Sequence, residues 1–145
     1  IWMNSVAGRS LKSMAASPVL ADSSFYIRLL RLRKDPLKAL ALAAETRDLA
    51  VCGVIRCEVG RALRQVETLK RFQSFWDVMS NVTTDDRLWA EVERTLWSLD
   101  RQGKILPLTD VVIACCANRI HAVVLTFDNH FSQIPGVRVV SRLDS

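Results

Sequence analysis

The chain has 145 residues, enough for one domain with a real hydrophobic core. Hydrophobic residues make up 50% of it and charged residues 24%, which excludes a disordered chain, and no apolar run approaches the roughly 20 residues that span a bilayer. The formal charge of +5, part of it from Arg9 and Lys12 near the start, is compatible with a nucleic-acid partner without specifying one.

Residues 1–17 are rich in Ser and Ala and lack a clear period. They are expected to be disordered or a loosely attached helix, either an expression remnant or a natural extension, ahead of a domain over 18–145. They hold no continuous apolar core of signal-peptide length, so the expected location is the cytoplasm. PVLA (18–21) reads as a short buried strand. DSSFYIRLLRL (22–32) opens with capping residues and then spaces Phe25, Leu29, Leu30 and Leu32 near the helical period. Pro36 starts a second helix, PLKALALAAETR (36–47). LAVCG (49–53) is a second buried strand, residues 54–66 a helix carrying Glu58, and a further helix follows to about residue 79. NVTT (81–84) reads as a short strand. Residues 85–103 form an amphipathic helix with Leu88, Val92, Leu96 and Leu99 on one face and Gly103 as its stop. LTDVVIACCANRIHA (108–122) is an apolar helix, VVLTF (123–127) a third main strand and VRVV (137–140) a last one.

Strands this short and apolar, separated by helices, point to an α/β fold: a central parallel β-sheet flanked by helices on both faces. No Gly-rich phosphate loop follows any strand, which argues against a Rossmann or P-loop nucleotide site. Cys52, Cys57, Cys115 and Cys116 lie in apolar stretches and make no CxxC pair. They are expected to be buried reduced thiols rather than a disulfide framework or a zinc site.

Four acids stand out: Asp22, Glu58, Asp110 and Asp128. Each alone has a structural explanation. Asp22 can cap a helix. Asp110 favours the dipole of a first helical turn that Thr109 would cap. Asp128 can stabilise a turn, and Glu58 can pair with Arg61 or Arg64. Together they say more. Asp22 and Asp128 follow strands, and ligand sites of open α/β sheets lie beyond that edge. Asp110 reaches it if the chain before its helix folds back. Glu58 sits one turn past the second strand between Cys57 and Val59, an apolar setting that seldom keeps a lone carboxylate.

Carboxylates repel one another, so gathering four calls for a cation. Mg²⁺ and Mn²⁺ are hard ions that take oxygen ligands, and in phosphodiester cleavage they activate a water and neutralise charge on the phosphate. His121 and His130 are not repeated at metal-ligand spacing and read as structural. Ser23 and Ser24 read as helix caps rather than nucleophiles, since neither has an evident histidine partner. Arg28, Arg56 and Arg61 fall near this edge, as phosphate contacts, as solvated helix faces or as partners of the acids.

VLADSSFYIRLL, CEVGRAL, LTDVVIACCANRIHAVVLTFDNHF and VRVV resemble the signatures of PIN-domain proteins, in particular the VapC-like toxins of bacterial toxin–antitoxin pairs. The resemblance covers about residues 18–142 and is most specific in the C-terminal block, where an Asp opens a small-residue helix and an apolar strand ends in Thr-x-Asp. It implies a three-layer sandwich and a metal-dependent ribonuclease. Asp22, Glu58, Asp110 and Asp128 become the quartet that binds Mg²⁺ or Mn²⁺, with Ser23 and Thr126 as supporting hydroxyls. His130 stands where many members carry a further acid. The resemblance also implies an RNA substrate, a homodimer and an antitoxin that presents a basic side chain to the acidic groove. Two other classes compete. A phosphate-accepting receiver needs a lysine near the C-terminal edge of the sheet, and the last lysine is Lys104, before the final two strands. A catalytically weak relative that binds RNA or protein would carry the same acids out of position by about 1 Å.

Overall fold

The structure is a computed structural model and describes residues 16–143, so the expected N-terminal extension lies almost wholly outside the described residues. The elements run β1 Val19–Ala21, α1 Ser23–Arg31, α2 Pro36–Ala43, β2 Leu49–Cys52, α3 Gly53–Gly60, α4 Val66–Asp77, β3 Ser80–Val82, α5 Asp86–Arg101, α6 Leu108–Arg119, β4 Val123–Leu125, a 3₁₀ turn His130–Gln133 and β5 Arg138–Val140. All strand pairs are parallel, in the order β3-β2-β1-β4-β5. The parallel sheet anticipated from the short apolar runs is therefore present.

The strand order fixes where the helices go. From β1 through β2 to β3 the chain walks one way across the sheet, and from β3 to β4 and β5 it returns past β1 to the other edge. Right-handed crossovers place α1–α4 on one face and α5 and α6 on the other. The direction reverses between β1 and β4, which opens a crevice at their C-terminal ends. Helix α6 leads into the start of β4, so its first turn lies at the opposite end, and Asp110 there joins Asp22 and Asp128 in the cleft at the strand ends.

The central strands are apolar because both their faces are covered: Val19, Leu20, Ala21, Val124 and Leu125 are all buried. Helix α6 lies between the sheet and α5, and every residue from 111 to 117 is buried, as a helix apolar all round requires. On the other face Tyr26 of α1 packs with Phe72 and Trp76 of α4, and the Trp76 indole N–H donates to the Tyr26 hydroxyl at 3.2 Å. Caps define several ends. Asp22, Asp35 and Asp85 accept from backbone N–H groups of α1, α2 and α5, and Pro36 opens α2. Gly103 ends α5 at φ 77° with the paired bonds Lys104 N–H to Leu99 and Gly103 N–H to Asp100, a Schellman motif.

Several boundaries differ from the sequence reading. The helix expected over 54–66 stops at Gly60, where Leu69 of α4 folds back to within 3.5 Å of the glycine's would-be Cβ. Helix α6 begins after Pro107, not at a Thr109 cap, and ends at Arg119. Cys57 is exposed, unlike the buried Cys52, Cys115 and Cys116, because Ile55 and Val59 take the inward face of α3 and leave Cys57 opposite. All four thiols are free.

Candidate active site

The chain turns straight from β1 into α1 at Asp22. Its carboxylate is almost fully buried, with 3% of the residue exposed. Oδ1 accepts from the Phe25 N–H (3.2 Å) and the Ser24 hydroxyl (2.8 Å), and Oδ2 accepts from the Thr126 hydroxyl (2.9 Å). Burial pushes the Asp22 carboxyl up to about 6, against these hydrogen bonds, and the charge of nearby Asp110 adds to the rise. Asp22 is thus both a helix cap and a strained acid, so its capping role does not account for its setting.

Strand β4 runs into the other half of the site. Thr126 is buried; its oxygen accepts from the Asp128 N–H at 2.9 Å and lies 3.1 Å from the Ser24 hydroxyl oxygen. The Ser24 oxygen also accepts from the Phe127 N–H at 3.1 Å. Asp128 closes a turn by accepting from the His130 N–H at 2.9 Å. The His130 ring then reaches back: its Nδ1 lies 2.8 Å from Asp110 Oδ2 and 3.2 Å from Asp128 Oδ1. Asp110 is held above its usual range by burial and by the charges of Asp128 and Glu58, opposed by its contact with His130. Glu58 faces the site from α3, where the Ser23 hydroxyl donates to it at 2.6 Å.

All four acids line one cleft of about 590 Å³ at the C-terminal edge of the sheet. Within it, Asp110, Asp128 and His130 can offer ligand atoms that all lie within 4.8 Å of one another; Asp22 and Glu58 stand outside this tighter group. Among the described residues none of the four acids is paired with an Arg or Lys. The pairing of Glu58 with Arg61 or Arg64 does not occur, and Ser23 takes that carboxylate instead.

Two functional neighbours escaped the sequence reading. From sequence Ser24 reads as a cap, but its hydroxyl, two residues after the buried Asp22, donates to that carboxylate. His130 reads as structural for want of a second histidine at ligand spacing, but its position two residues after Asp128 puts its ring against that carboxylate and Asp110. Of the three arginines placed near the groove, only Arg28 lines it, together with Arg31. Arg56 pairs with Asp77 at 2.8 Å and with Asn81 at 3.0 Å.

The PIN domain family model matches residues 19–137, and the chain belongs to that family. Solved structures with this fold include VapBC2 from Rickettsia felis bound to a DNA fragment from its promoter (16% identity, 88% of this chain and 99% of that one covered, TM-score 0.67). They also include VapBC-1 from nontypeable Haemophilus influenzae (17%, 85% and 96%, 0.67) and DNA-bound VapBC from Salmonella typhimurium (17%, 85% and 96%, 0.68). At these identities the likeness is one of fold. No curated protein matches the chain. Among the described residues no helix is long and apolar enough to cross a membrane.

Proposed function

We propose that this chain is a divalent-metal-dependent endoribonuclease, the toxin of a toxin–antitoxin pair, and that Asp22, Glu58, Asp110 and Asp128 are its working acids. The observation that supports this reading is the convergence of four carboxylates from four segments on one cleft in which, among the described residues, none of them is paired with an Arg or Lys. Burial raises the Asp22 and Asp110 carboxyls, and the charges of neighbouring acids add to that rise, so holding these groups ionised is costly for a bare protein. The donor set fits Mg²⁺ or Mn²⁺: carboxylate oxygens dominate, with one imidazole nitrogen from His130.

Asp110, Asp128 and His130 would hold the ion, with Asp22 and Glu58 completing the acidic wall. When bound, the ion lowers the pKa of a water and offsets charge on the phosphate. The chain's own residues do the positioning. Ser24 and Thr126 fix the rotamer of Asp22, Ser23 fixes Glu58, and the turn at Asp128 keeps that carboxylate beside Asp110. The partners follow from the same reading: RNA as substrate, a second copy of the chain, and an antitoxin whose basic side chain enters the cleft. The solved structures named above include VapBC complexes, which is consistent with such a partner.

The test is RNA cleavage by purified protein with and without Mg²⁺ or Mn²⁺. Cleavage is expected to stop in EDTA and to fall by roughly 10–100-fold or more in Asp22→Asn and Asp110→Asn, because loss of a group around a metal typically costs that order. Both variants should keep or gain thermal stability as repulsion is relieved. Cleavage that persists undiminished in EDTA and in both variants would overturn the reading.

A further inference from the structure

The acids occupy only part of the cleft. Its remaining wall comes from one face of α1 and from the residue between Thr126 and Asp128: Arg28, Arg31 and Phe127. The two arginines are three apart on the helix, so their side chains project as neighbours. Both are exposed. Among the described residues Arg56, Arg71 and Arg119 each pair with a carboxylate, but neither Arg28 nor Arg31 does, although four carboxylates line the same cleft. Arg28 instead lies over the Phe127 ring, its Cζ 4.6 Å from the ring centroid. That ring is itself held. Its backbone N–H is bound to Ser24, and the ring stacks on Phe25 at 5.8 Å with planes 23° apart. The guanidinium is therefore held against an anchored ring, and among the described residues no carboxylate takes its N–H groups.

We propose that Arg28 and Arg31 form a phosphate-contact site that seats a single RNA strand beside the acidic centre, with Phe127 as the residue that positions Arg28. This rests on the nuclease reading for its substrate. The chemistry is specific: a guanidinium edge matches two phosphate oxygens at once. The acids of the cleft repel a phosphodiester unless a cation is bound among them. Two cations on the adjacent wall offset part of that repulsion and set the direction in which the strand enters. A competing role exists, since Arg28 and Arg31 lie in the last turn of α1, where positive charge favours the helix dipole. That role serves stability and has no bearing on RNA.

The experiment measures binding of a fluorescein-labelled single-stranded RNA by anisotropy across a salt series, with Ca²⁺ as the divalent ion and the RNA checked for integrity afterwards. The proteins are the wild type, R28A/R31A, R28Q/R31Q, F127A and a control pair, R87A/K104A, that removes two exposed charges of α5 and the turn after it. Each lost phosphate contact to a single strand lowers the slope of log K against log salt by about 0.7, so both double arginine variants should lose about 1.4. Their affinity should fall roughly tenfold or more. The F127A protein should lose less than either double arginine variant. The control pair should stay near the wild type.

An unchanged slope in R28A/R31A, an equal loss in the control pair, or a lowered unfolding midpoint with intact RNA affinity would overturn the proposal. So would a wild type that does not bind the RNA. Cleavage in Mn²⁺ is scored separately. Metal-dependent cleavage with no arginine effect sinks this inference alone, whereas arginine-dependent binding without cleavage in any metal sinks the nuclease reading alone.

Discussion

Thr126 and Asp22, 104 residues apart in sequence, share a hydrogen bond of 2.9 Å in which the hydroxyl donates to a buried carboxylate oxygen. The same hydroxyl oxygen accepts from the Asp128 N–H. One small side chain at the end of β4 thus fastens the first acid of the site and orients the last. Thr126→Val removes both bonds while keeping the volume. It leaves a buried carboxylate and a backbone N–H short of partners, and should cost about 1–3 kcal/mol of stability. Thr126→Ser keeps the hydroxyl and should lose less. Urea unfolding of the three proteins checks this; equal stability of the Val variant and the wild type would show that the bond is dispensable.

The buried Asp22 carboxyl makes stability depend on pH in a direction opposite to that of an ordinary salt-bridged acid. Its folded value is about 6, against 3.8 for the free side chain. Below pH 4 both states are protonated and there is no penalty. Between about 4 and 6 the folded state holds the proton and the unfolded state has lost it, so stability falls as pH rises. Above 6 the full cost is in place, about 3 kcal/mol at most for the metal-free protein. Asp110, raised in the same direction, adds to the slope. Asp22→Asn should remove much of this dependence, so the variant should match the wild type near pH 4 and exceed it near pH 7. Adding Mn²⁺ should narrow that gap at pH 7, because a ligand that binds only the folded state stabilises it by mass action. Chemical unfolding at the two pH values, with and without the ion, reads out both effects.

The strands and three of the acids were legible because they follow a local rule: an apolar run that ends in a carboxylate. Asp22 and Asp128 obey it directly, and Asp110 opens a helix that leads into β4, so it meets them because the chain before that helix folds back to the cleft. Glu58 was legible as an acid in an apolar setting, but its partner, Ser23, was not, since nothing local joins residues 35 apart. The stop of α3 at Gly60 was hidden for a similar reason. Residues 61–65 carry good helix formers, and the turn there is set by α4 packing back across the glycine. The outward Cys57 was available from periodicity alone, because Ile55 and Val59 define the buried stripe of α3 and Cys57 falls between them. His130 was the least accessible, since its role depends on a turn that brings the ring onto two carboxylates.

His121 illustrates a cost that the sequence pattern conceals. It follows α6 with φ 56°, in the left-handed region, and the paired bonds His121 N–H to Asn118 and Ala122 N–H to Ala117 close a Schellman motif around it. A side chain with a Cβ pays for that conformation, and glycine does not. His121→Gly should therefore stabilise the protein by about 0.5–1 kcal/mol. The converse change at the end of α5, Gly103→Ala, should destabilise by a similar amount; a Cβ there meets nothing within 4 Å, so the effect is purely conformational. Thermal unfolding of both variants tests the pair, and shifts of the same sign would contradict it.

His130 gives the proposed metal site a nitrogen donor where the family resemblance leads one to look for another acid. Its ring nitrogen lies 2.8 Å from Asp110 and 3.2 Å from Asp128, within the group whose ligand atoms converge. Mg²⁺ strongly prefers oxygen, whereas Mn²⁺ accepts imidazole more readily. The wild type should therefore favour Mn²⁺ over Mg²⁺ by more than an all-carboxylate site does. In His130→Asp the added charge should tighten both ions, but the ratio of Mn²⁺ to Mg²⁺ affinity should fall, by roughly tenfold for a difference near 1.4 kcal/mol. His130→Ala should weaken Mn²⁺ by about 10–100-fold. Isothermal titration with each ion measures the ratio independently of any cleavage assay. Pulsed electron paramagnetic resonance on the Mn²⁺ form should show nitrogen coupling in the wild type and none in His130→Asp. An identical affinity ratio in the two proteins, with no nitrogen coupling in either, would mean that His130 orients Asp110 and Asp128 without binding the ion itself.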